Sequence, residues 1–66
     1  MSDHKEEKCL NSMLLEKAVE EISGIEEYEE LREMTSDIEA IKMIDNIIEQ
    51  EKMHAKHLID YVHNNI

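Results

Sequence analysis

The 66 residues hold at most one domain, and Cys9, the only cysteine, excludes an internal disulfide and fits a reducing, cytoplasmic setting. A net charge of −10 disfavours nucleic acid and anionic membrane as partners and is compatible with attracting cations. A single glycine, no proline and abundant Glu, Ile, Lys, Met and Leu make a helical composition, without a signal-length apolar segment or a run near the roughly 18 residues of a membrane span.

Along the chain, residues 1–7 carry no periodicity and are expected to be disordered. From Leu10, apolar residues recur at helical spacing through Leu14, Ala18, Ile22, Ile25 and Tyr28, with Leu15 and Val19 beside them. At about 100° per residue this stripe covers close to half the helix circumference, more than one partner helix requires. Gly24 lies inside the pattern, where glycine costs about 1 kcal/mol relative to alanine, so a close approach or a slight bend is expected there. The periodicity breaks at "MTSDIEA". The first helix is therefore predicted to end near 32–34 and the second to begin near Ser36, whose spacing to Glu39 has the form of a capping box, with Asp37 adding negative charge to the first turn.

A second stripe runs through Ile41, Ile44, Ile48, Ala55, Leu58 and Val62, flanked by Ile47 and Ile59. So short a turn makes the two helices antiparallel neighbours. The predicted fold is all-α, one domain over 1–66: a two-helix hairpin with more apolar surface than two helices can hide. Below about 70 residues a single core rarely suffices, so the hairpin is expected to dimerise into a four-helix bundle, bind a metal, or both.

Each helix also carries an acid on its apolar face. Glu51 projects between Ile44, Ile48, Ala55 and Leu58, with His54 three residues on at the edge of the same arc. Glu21 falls among Leu14, Ala18, Ile25 and Tyr28, while Glu20 points away. In an antiparallel hairpin the two acids lie at a similar level. A buried lone carboxylate costs several kcal/mol, and carboxylates brought together repel unless they are protonated or share a cation. Carboxylate and imidazole donors suit iron or manganese, with zinc an alternative. Two copies of Glu21, Glu51 and His54 supply four Glu and two His, the donor set of di-iron carboxylate bundles. Blander readings stand beside this one. Glu-x-x-His is common by chance in a Glu-rich helix, and Glu21 and Glu51 could instead pair with Lys17, Lys52 or a lysine of a partner chain. His57 rotates off the stripe, His63 is expected to be solvated, and Tyr28 is either core or a hydroxyl near the metal.

The stretches "VEEISGIEEYEE" and "EQEKMHAKHLIDYV" resemble the encapsulated ferritins, of the ferritin-like superfamily, over about residues 16–64. The likeness lies in the Glu20–Glu21 pair, Tyr28 seven residues beyond Glu21, and Glu51 with His54 after a short turn. It implies a ferritin-like four-helix bundle with a di-iron centre (Fe as cofactor), completed when two subunits meet. It also implies a ferroxidase activity, the oxidation of Fe(II) by dioxygen for iron storage or detoxification. By the same resemblance Glu21, Glu51 and His54 are iron ligands, Glu20 belongs to an entry site, and Tyr28 stands just behind the ligands. The implied partners are further copies of the chain, as a dimer or a ring of dimers, and an encapsulin shell whose interior is an alternative location to the open cytoplasm. Ser23 stands where the family has a further acid and Glu27 where it has an aromatic. The residues "HNNI" do not form the apolar-basic tag that directs cargo to a shell, so either the chain continues past Ile66 or it is not cargo.

Two other functions compete. The hairpin resembles half of a rubrerythrin-type peroxide-reducing site, although it lacks the Cys pairs of an electron-carrying module. A non-catalytic structural or adaptor bundle would use Glu21 and Glu51 to fix register or partner choice.

Overall fold

The computed structural model describes the backbone of residues 3–65 and the side chains of residues 9–65. Two helices make up the fold: α1, Asp3–Glu33, and α2, Ile38–Asn64, packed side by side along their length. Residues 3–7, predicted to be disordered, are helical, while Met1 and Ser2 lie outside the described residues. The sequence there lacks an apolar face, but "KEEK" consists of strong helix formers, and extending an existing helix needs no new nucleus.

α1 stops at Glu33, and the Met34 N–H donates to the Leu31 carbonyl at 3.0 Å to close the last turn. The cap of α2 corrects the expectation of a Ser36–Glu39 box. Asp37 is the N-cap residue, in extended backbone conformation, and its Oδ1 accepts from the Glu39 N–H at 3.2 Å. Thr35 Oγ1 accepts from the Asp37 N–H at 3.1 Å, so the turn satisfies the amide just ahead of the helix. Aspartate and serine are comparable caps, and the cap falls on whichever residue leaves the extended conformation last. Across the turn, Arg32 at the end of α1 donates to both carboxylate oxygens of Asp45, at 2.6 and 3.4 Å.

The residues turned toward the partner helix alternate at spacings of three and four. On α1 they are Asn11, Leu14, Ala18, Glu21, Ile25 and Tyr28; on α2 they are Ile41, Ile44, Ile48, Glu51, Ala55, Leu58 and Val62, all buried or half-buried. That is a heptad seam, the 3.5-residue period of two supercoiled helices. It corrects the predicted stripe on α1. Leu10 and Ile22, 46% and 44% exposed, flank the seam, whereas Glu21 lies within it. A straight-helix projection at 3.6 residues per turn drifts by about 20° per heptad, enough to spread the apparent face across both Glu21 and Ile22.

The molecule is a rod of 55 × 15 × 12 Å with a radius of gyration of 15.7 Å, where a compact chain of this length would have about 11 Å. Its buried apolar residues among those described are Ala18, Ile44, Ile48, Ala55 and Val62. Leu15, Val19 and Ile22 on α1 and Ile59 and Tyr61 on α2 remain substantially exposed. No described helix is long and apolar enough to cross a membrane. Cys9 is exposed and free.

Candidate metal centre

Glu21 and Glu51 occupy equivalent seam positions near the middle of the rod, and antiparallel packing brings their carboxyl groups together. The Glu51 carboxyl is held above the ordinary glutamate range, chiefly by a hydrogen bond with Glu21, then by desolvation and by the Glu21 charge; His54 acts the other way. Two carboxylates at one level of a seam repel one another, which makes ionising Glu51 more costly than ionising a free glutamate.

The imidazole of His54 stands beside Glu21 on the third side. Its Nδ1 lies 3.7 Å from Glu21 Oε1, a charge-pairing distance longer than a hydrogen bond. Its side chain is 60% exposed against 27% for Glu21, so the group opens to solvent on the His54 flank. On α2, Ile48 and Ala55 lie one turn to either side of Glu51 and are both 6% exposed, which walls the carboxyls off along the axis. On α1, Gly24 lies within reach. A Cβ placed on it would stand 3.3 Å from Glu51 Oε2 and 3.7 Å from Glu51 Cδ. Of the two reasons offered for that glycine, the close approach is the one present.

Within the single chain, neither Lys17 nor Lys52 pairs with Glu21 or Glu51. Lys17 pairs with Glu20 at 3.4 Å, along α1. Glu20 thereby lies outside the carboxyl group, on the solvent face. Tyr28 is half-buried in the seam, one heptad or about 10 Å along the axis from Glu21. His57 and His63 are exposed, and both lie near Asp60, whose carboxyl is lowered chiefly by its hydrogen bond with Lys56 and partly by these histidines.

Two carboxyls meet across the helices with an imidazole beside Glu21, donor types that suit iron, manganese or zinc. Among the described residues of this single chain, no three His, Cys, Asp or Glu side chains are grouped so as to hold a metal ion. The residue that sequence reasoning noticed without assigning to the site is Gly24; the only signal was a costly glycine at i+3 from Glu21. No protein-family model matches the chain, and neither does any curated protein or solved structure.

Proposed function

We propose that the chain is a ferroxidase, oxidising Fe(II) to Fe(III) with dioxygen at a di-iron centre formed between two copies and serving iron storage or detoxification. The observation that carries this reading is the meeting of Glu21 and Glu51 in the middle of the seam, where the Glu21 carboxylate raises the pKa of Glu51. The donor chemistry fits iron. Bound there, iron supplies one-electron redox chemistry, and dioxygen takes two electrons and two protons for each pair of ions oxidised.

The chain's own part is binding and proton handling. Glu21 and Glu51 would hold a cation only as carboxylates, so binding would compete with protonation of Glu51 and weaken as pH falls. Glu21 and Glu51 as carboxylates then offset the rising positive charge, and the walls made by Ile48 and Ala55 lower the local dielectric and strengthen that interaction. His54, on the open flank, offers a ring nitrogen beside Glu21. Pairing with a second copy is supported by the exposed Leu15, Val19, Ile22, Ile59 and Tyr61, and by a site with two acids and one imidazole per chain that two chains would double. Residence in the cytoplasm rests on the free cysteine, and residence in an encapsulin shell on the resemblance alone.

Anaerobic loading with Fe(II) followed by exposure to dioxygen tests the assignment. Glu51→Ala abolishes the absorbance rise of Fe(III); a variant that turns over Fe(II) at the wild-type rate sinks the proposal. The structural-bundle reading is favoured by one observation, that no three His, Cys, Asp or Glu side chains among the described residues of one chain are grouped so as to hold a metal ion. If that reading holds, a chelator leaves oligomer size and melting temperature unmoved, whereas a metal-held assembly shifts in both.

A further inference from the structure

We infer that Gly24 is a positioning residue: its missing side chain is the space that lets the Glu51 carboxylate face Glu21 across the seam. The functional consequence rests on the di-iron reading above. Gly24 follows Glu21 by three residues on α1, is half-buried, and so stands nearly one turn along on the side packed against α2. Its backbone does not require glycine, because no glycine in the described chain has positive φ. Nor does helix formation, since glycine is among the poorest residues in a helix interior. Close packing of α2's backbone does not require it either. Among the described residues, and apart from α1's own adjoining backbone, the atoms that a Cβ would meet within 4 Å are Oε2 and Cδ of Glu51. The one thing in the structure that the glycine makes room for is therefore a carboxylate already identified as a candidate ligand.

The contact of 3.3 Å is tighter than ordinary van der Waals packing, so a methyl group at position 24 moves the carboxylate by a few tenths of an ångström. The atom displaced is the far end of a flexible side chain, so the helices need not separate. Gly24→Ala thus uncouples two properties that usually change together: the helix gains and the site loses.

Co(II) is the probe, since it takes O/N donor sets without redox chemistry and reports binding by visible absorption. With the full chain, Gly24→Ala is expected to raise the melting temperature by a few degrees and to weaken Co(II) binding about tenfold, the loss typical of disturbing a residue that orients a ligand. Asn46→Ala on exposed α2 surface, a similar gain in helix propensity on a face turned away from that of Glu51, raises the melting temperature and leaves Co(II) affinity unchanged. A metal-free cycle isolates the contact itself: Gly24→Ala stabilises more in a Glu51→Ala background than in the wild type. Equal gains in the two backgrounds overturn the contact, and unaltered Co(II) affinity in Gly24→Ala overturns the positioning role. A wild-type chain that binds no Co(II) sinks the metal reading and the positioning role together, while the metal-free cycle still decides whether Gly24 accommodates Glu51.

Discussion

At the scale of single residues, Glu51 sets stability against function. The folded chain raises its pKa, so it binds a proton more tightly folded than unfolded. The contact with Glu21 therefore stabilises the metal-free fold fully below the ordinary glutamate value, and that contribution is lost as pH rises through the raised value. Glu51→Gln places a neutral amide donor beside Glu21 and has nothing to lose at neutral pH. Circular dichroism melts of the metal-free protein should show Glu51→Gln more stable than wild type at pH 7 by a few degrees, with the two converging near pH 4. The same variant should fail to oxidise Fe(II). A wild type as stable as the variant at both pH values would mean that Glu21 does not raise the pKa of Glu51.

At the scale of elements, the turn and the seam do different work. The Arg32–Asp45 pair is about half exposed on both sides, and pairs of that kind contribute about 0–1 kcal/mol. The N-cap matters more. Asp37→Ala removes the acceptor of the Glu39 amide and is expected to cost about 1 kcal/mol, read as a lowered midpoint in urea, whereas Ser36→Ala leaves it close to unchanged. The reverse ranking would restore the capping box that the sequence suggests. Within the seam, Ile44 and Ile48 are each 6% exposed and pack on either side of the turn-proximal half. The two acids interrupt this seam at mid-height, the one level where neither helix contributes an aliphatic side chain to it.

At the scale of the whole molecule, a rod 55 Å long and 12–15 Å across has no interior deep enough to hide its apolar residues. Val19 is 61% exposed and Ile22 44%, on a flank of α1 beside the seam. Burial of that flank by a second copy predicts a melting temperature that rises with protein concentration and a light-scattering mass of at least two chains. Val19→Glu, on a surface where the single hairpin already tolerates solvent, should leave helix content intact and reduce the mass to that of one chain. A wild-type chain that scatters as a monomer at all concentrations would remove the shared centre with it.

The helical hairpin, its turn and the inward placement of Glu21 and Glu51 follow from the sequence alone, because burial period and breaker residues act locally and are written in consecutive residues. The exclusion of Leu10 and Ile22 from the seam, the move of the cap from Ser36 to Asp37, and the helicity of residues 3–7 were decided by packing and chain continuity, which single-helix periodicity does not encode. The raised pKa of Glu51 beside Glu21 and the room made by Gly24 belong to the tertiary structure entirely. They depend on side-chain atoms from two helices approaching within a few ångströms, and no spacing along one chain specifies that distance.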